Sequence, residues 1–234
     1  MSVRMSLVCV GLAFSGGLLL AAPAAAADTG GFVFGGLDGS QGGYFAFVGG
    51  GVAPGGADES GFVLRGFVGH GEYEYDVGGP ADAEGQVTTV DVMVGFQVVS
   101  EKSRVSAYVG PNYQDHQVDN DPLNPVQGDE WGVKGQVEYY GQPTSNTMLQ
   151  AIGSFSTANE TYFALVKAGW KVVGDTYLGP EAAFSGNERY DQWRAGVHAT
   201  GFGLGPAGLN FSAGYVDSDD GSGVYGQVGF TVRF

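Results

Sequence analysis

One cysteine, Cys9, stands among 234 residues, and it lies near the start of the chain. With so little sulfur, neither a disulfide framework nor a thiolate metal site is available to the rest of the sequence. Basic residues are scarce too, 10 Lys plus Arg against 25 Asp plus Glu, for a formal net charge of −15. Such an acidic chain repels phosphate backbones, which excludes nucleic acid as a partner. There are only three histidines, His70, His116 and His198. No Gly-x-Ser-x-Gly elbow, His-Glu-x-x-His pair or P-loop is present. Glycine is abundant, at 43 residues, but without the every-third-residue register of collagen. Apolar residues at 43% and aromatics at 13% rule out plain disorder.

The first 27 residues read as a secretory signal peptide. Arg4 supplies a positive start, residues 7–20 an apolar stretch, and the small residues 21–27 several cleavage sites before Asp28. The apolar run is short for a spanning helix, and Cys9 lies too early for lipid attachment. The expected domain layout is a signal peptide at 1–27 and a single β-domain at 28–234.

Beyond Asp28 no window reads as a helix; apolar residues alternate in stretches of about ten, separated by Gly, Asn, Asp and Pro. On the last stretch Val224, Gly226, Val228, Phe230, Val232 and Phe234 share one face, and Tyr225, Gln227, Gly229, Thr231 and Arg233 the other. Val90, Val92, Val94, Phe96 and Val98 alternate with Thr89, Asp91, Met93, Gly95 and Gln97 in the same manner. Charges fall opposite the apolar row, as a lipid-facing exterior around a polar lumen requires. The amphipathic final strand, with Phe230, Val232 and Phe234, resembles the signal that outer-membrane barrels present to their insertion machinery.

About twelve such strands start near Phe32, Gly43, Gly61, Val87, Ser103, Trp131, Met148, Glu160, Thr176, Tyr190, Ala207 and Gly223. An even number suits a single-chain transmembrane antiparallel β-barrel and puts both termini on the periplasmic side. The expected fold class is all-β, with outer loops at 76–86, 115–130, 185–188 and 217–222 and one long periplasmic connection at 52–60. Tyr44, Trp131, Tyr162, Trp170, Tyr177, Trp193 and Tyr215 are placed for interfacial girdles. A soluble sandwich or lipocalin-like barrel would alternate as well, with its apolar residues inside.

Phase assigns the lumen its chemistry. Glu181 and Arg194 project inward from neighbouring strands, and Arg65, Lys134, Glu138 and Lys167 join them in an expected charged network. Such a network braces the barrel or contacts a substrate. Tyr73, Tyr108, Tyr140, Tyr177 and Tyr225 also point inward, and aromatic faces stack on sugar rings. His198 and Ser212 lie on adjacent strands but face the lumen as fillers, so no catalytic residue is assigned and the chain reads as non-enzymatic. The acidic segments 115–125 and Asp217, Asp219 and Asp220 read as solvated loops; they lack EF-hand spacing. No metal or cofactor is expected.

Several of these segments resemble the alphaproteobacterial cellulose biosynthesis protein BcsS family. They are Gly179-Pro180-Glu181-Ala182, Gly186-Asn187, Tyr190, Arg194-Ala195-Gly196, Ser212-Ala213-Gly214-Tyr215, the stretch 69–75 and the loop 115–128. The resemblance covers essentially the whole chain after the signal peptide. It implies an outer-membrane protein associated with bacterial cellulose production, and the favoured reading is a barrel that passes, guides or anchors the glucan. The implied partners are outer-membrane lipids, the barrel-insertion machinery, the cellulose chain and the cellulose synthase and export proteins. It supplies no active site. A general small-solute porin and an outer-membrane lipid-modifying enzyme are the rival readings.

Overall fold

A computed structural model of the protein describes residues 29–75, 83–121 and 123–234. The expected signal peptide lies outside these residues. Twelve strands follow one another: β1 (Gly30–Ser40), β2 (Gly43–Ala53), β3 (Gly61–Tyr75) and β4 (Ala83–Val99). Then come β5 (Ser103–Asp119), β6 (Gly128–Thr144), β7 (Thr147–Ser156) and β8 (Tyr162–Val173). The last are β9 (Thr176–Gly186), β10 (Asp191–Leu204), β11 (Ala207–Ser218) and β12 (Gly221–Arg233). Each pairs antiparallel with its sequence neighbours, and β1 pairs with β12, from Phe32 opposite Arg233 to Ser40 opposite Tyr225. The sheet closes on itself and leaves no edge. At the seam, Gly31 and Phe234 exchange two backbone hydrogen bonds of 2.7 and 3.0 Å.

Alternation determines which side faces in. On β4, Val92, Val94, Phe96 and Val98 are exposed on the outside, whereas Asp91, Met93 and Gln97 are buried inside. Phe230 and Phe234 also lie outside, and Tyr225 on the same strand is buried within. The exterior therefore carries the apolar surface and the interior the polar one, the inverse of a soluble sandwich.

Four expectations about strand limits need correction. Strands β3 to β6 have 15 to 17 residues rather than about ten. The segment 115–119, expected as loop, belongs to β5, where His116 and Val118 are buried while Gln117 and Asp119 are exposed. Pairing continues past the apolar band because backbone hydrogen bonding does not need apolar side chains; only the outward residues turn polar. Similarly, 217–222 is a tight hairpin rather than a loop, with β11 ending at Ser218 and β12 starting at Gly221. Near Glu160 the chain makes a 3-10 turn (Ala158–Glu160) with positive φ at Asn159 and Glu160, so β8 starts at Tyr162.

Candidate functional site: the barrel lumen

The four cations expected in the lumen, Arg65, Lys134, Lys167 and Arg194, do project into it, and each of these meets a carboxylate. Arg65 on β3 pairs with Glu138 on β6, which also accepts a 2.6 Å hydrogen bond from Gln136. Lys134 on β6 pairs with Asp91 on β4 at 2.7 Å. Lys167 on β8 pairs with Glu181 on β9 at 2.9 Å. Arg194 on β10 pairs with Asp38 on β1 at 2.6 Å. A charge removed from water is tolerated when a counter-charge and hydrogen bonds replace its solvation. Glu181 illustrates this, accepting additional bonds from the hydroxyls of Ser212 (2.7 Å) and Tyr225 (2.6 Å).

Two of these pairs are chords. Arg65–Glu138 and Arg194–Asp38 each join strands three steps apart around the barrel. Glu181 and Arg194, expected as the centre of one network, do not pair with each other. Tyr225 links them: its hydroxyl bonds to Glu181, and its ring lies 5.1 Å beneath the Arg194 guanidinium. Asp38 and Asp91 are ion-pair partners that the sequence-based site left out.

The remaining candidates also face inward. Tyr108 is buried with its ring 5.2 Å from the Arg65 guanidinium. Tyr140 lines the lumen near the termini and accepts a hydrogen bond from Gln142 at 3.3 Å. Tyr177 is buried beneath the Lys171 ammonium, 5.4 Å from its ring. His198 Nε2 donates to the Ala168 carbonyl at 3.2 Å, leaving Nδ1 to accept from Thr200 at 2.8 Å. Ser212 instead donates its hydroxyl to Glu181 at 2.7 Å.

Among the described residues, two lumen cavities share no lining residue. The one distal to the termini, of about 530 Å³, is lined by Asp38, Phe45, Tyr73, Tyr75 and Arg194 among others. The proximal one, of about 280 Å³, is lined by Phe32, Phe34, Phe47, Arg65, Tyr108 and Glu138 among others. At the proximal mouth the connection 54–60 folds inward: Gln97 donates to the Ala57 and Glu59 carbonyls at 3.1 and 2.6 Å. At the distal mouth Arg189 reaches Asp121 at 3.2 Å, and the Tyr75 hydroxyl donates to the same carboxylate at 3.0 Å. In the turn between β11 and β12, burial and the charge of Asp219 push the Asp220 carboxyl above its usual range, opposed by Arg189.

The aromatic lining differs most from expectation. Five phenylalanines of β1, β2 and β3 form a continuous ladder down one wall. Phe32 stacks on Phe34 at 6.2 Å, Phe34 on Phe67 at 6.3 Å, Phe67 on Phe47 at 6.0 Å and Phe47 on Phe45 at 6.3 Å. Their interplanar angles are 22–27°. Glycines make room for them: a Cβ on Gly49 would stand 2.4 Å from Phe34 Cζ, and one on Gly51 2.6 Å from Phe32 Cζ. Phe32, Phe34, Phe45 and Phe47 thus each lie across a glycine of the neighbouring strand, a known way of covering bare sheet. A parity signal was present in the sequence: Phe32 and Phe34 share the phase of Asp38, and Phe67 that of Arg65.

A family model described as cellulose biosynthesis protein BcsS matches residues 32–234. The chain belongs to that family. The BcsS match spans all twelve strands apart from the first two residues of β1. Among solved structures, an outer membrane channel from Pseudomonas putida F1 is similar with a TM-score of 0.55 and 12% identity, over 88% of this chain and 95% of that one. The β-domain of the Bordetella autotransporter BrkA gives 0.51 at 15% identity, over 88% and 100% of the two chains. The translocator domain of the autotransporter NalP from Neisseria meningitidis gives 0.51 at 11% identity, over 91% and 90%. These likenesses show that the BcsS chain has the fold of outer-membrane barrels. No curated protein matches it.

Proposed function

We propose that this BcsS protein sits in the bacterial outer membrane and guides or anchors the glucan during cellulose production, without catalysing a reaction. The signal peptide at 1–27 directs export, and the final strand with Phe230, Val232 and Phe234 is read by the insertion machinery. The glucan and the cellulose synthase and export proteins are its working partners, and outer-membrane lipids surround it. The observation that carries this reading is the lumen, where ring faces stand beside charged hydrogen-bonding groups in a chain of a cellulose biosynthesis family. Ion pairs that reach across the lumen narrow it, which disfavours a general porin with its unobstructed aqueous path.

Deleting the chain's gene in a cellulose-producing host, with synthase levels measured in parallel, tests the proposal. Loss of extracellular cellulose at normal synthase levels supports it. Unchanged cellulose refutes it.

A further inference from the structure

The phenylalanine ladder is unusual for a barrel, whose lumen is expected to be polar and whose rings belong on the lipid side. Its rings are half-buried rather than sealed into a core. Phe32, Phe34, Phe45 and Phe47 each lie against a glycine of the next strand and line a lumen cavity. The ladder also crosses between the two cavities. Phe45 lines the distal one, Phe32, Phe34 and Phe47 line the proximal one, and Phe67 touches both Phe34 and Phe47. Among the described residues the other ring contacts are isolated pairs, such as Tyr73 with Tyr75.

Two cations stand over its middle. The Arg65 guanidinium lies 4.9 Å from the Phe34 ring centroid and the Lys134 ammonium 5.4 Å from that of Phe67. Glu138 and Asp91 hold them there. Ring faces flanked by strong hydrogen-bond donors suit a ligand with apolar faces and polar edges. A β-linked glucan is such a ligand, since its pyranose rings present C–H faces above and below and hydroxyls around the rim. The step between stacked phenylalanines is comparable to one sugar unit along such a chain.

We infer that Phe32, Phe34, Phe67, Phe47 and Phe45 form a stacking track for a single β-linked glucan chain. Arg65 and Lys134 cover the track at rest and turn to the sugar hydroxyls when the glucan enters. This rests on the cellulose reading above and assigns the glucan its seat. Arg65 and Lys134 are then positioning groups that exchange a ring for a hydroxyl, so the charges remain solvated in both states.

Isothermal titration of the purified protein in detergent micelles with cellohexaose tests the track. Wild type binds; Phe34→Ala and Phe67→Ala each weaken binding by about tenfold, the scale of one lost ring contact. Phe67→Tyr keeps the ring and retains binding, which separates loss of stacking from loss of folding. Phe62→Ala alters an exposed exterior ring and leaves affinity unchanged. Affinity unchanged in Phe34→Ala and Phe67→Ala, or no binding to wild type, overturns the inference. If deletion still abolishes extracellular cellulose in that case, the role in cellulose production stands and only the seat of the glucan is wrong.

Discussion

Arg194 Nη1 donates to both carboxylate oxygens of Asp38, at 2.7 and 2.6 Å, between residues 156 positions apart in sequence. The pair ties β10 to β1 across the seam that β1 and β12 close. It forms only once the barrel is complete, so it reports on closure rather than on any single hairpin.

Removing one partner leaves the other charge inside without compensation. Arg194→Ala is expected to cost the folded barrel about 3 kcal/mol, the lower end for a broken buried pair, because the distal cavity admits some solvent. Asp38→Ala should cost a similar amount. The double variant Arg194→Met with Asp38→Leu should recover most of the loss. Equilibrium urea unfolding in lipid vesicles measures all three. A double variant as unstable as the sum of the singles would show that the two residues act independently.

The chord pairs reach across the lumen, Arg194 with Asp38 at the distal cavity and Arg65 with Glu138 at the proximal one, so wild-type protein should pass little current in a planar bilayer. Exchanging the chord residues for small polar ones, Arg65→Ser with Glu138→Ser and Arg194→Ser with Asp38→Ser, should raise the single-channel conductance several-fold. A large, steady wild-type conductance would contradict the constriction and favour a porin.

The exterior of β4 offers a test of orientation. Val94→Lys puts a charge in the middle of the apolar row and is expected to cost about 2–4 kcal/mol in lipid vesicles, whereas Thr88→Lys near the end of that face should cost about 0–1 kcal/mol. Both residues are on the outward face of the same strand, so strand propensity is held nearly constant. Equal costs would mean that the valine face does not meet lipid.

The parts of this architecture governed by strand phase were legible in the sequence. Val92 and Val94 outside, Asp91 and Gln97 inside, and the inward set of Arg65, Lys134, Glu138, Lys167, Glu181 and Arg194 all follow from alternation of side chains along a strand. Which charges meet does not follow. Arg194 finds Asp38 and Arg65 finds Glu138 because closing twelve strands brings distant walls together, and local spacing carries no trace of that chord. The phenylalanine ladder escaped for another reason. In β1 and β2 the phenylalanines point inward and the outward positions include Gly39, Ala46 and Gly50, so reading polarity face by face assigns the rings to lipid. Only the shared parity with Asp38 and Arg65 contradicts that assignment. Extension of β3 to β6 past the apolar band was hidden because its outward residues are as polar as a loop.

The most direct test of the account is the extracellular cellulose made by a deletion strain supplied with variant barrels at equal membrane abundance. Wild type and the exterior variant Phe62→Ala should restore cellulose fully, whereas the double variant Phe34→Ala with Phe67→Ala should leave it near the deletion level. Full restoration by the double variant would contradict the claim that the lumen is where this protein meets the glucan.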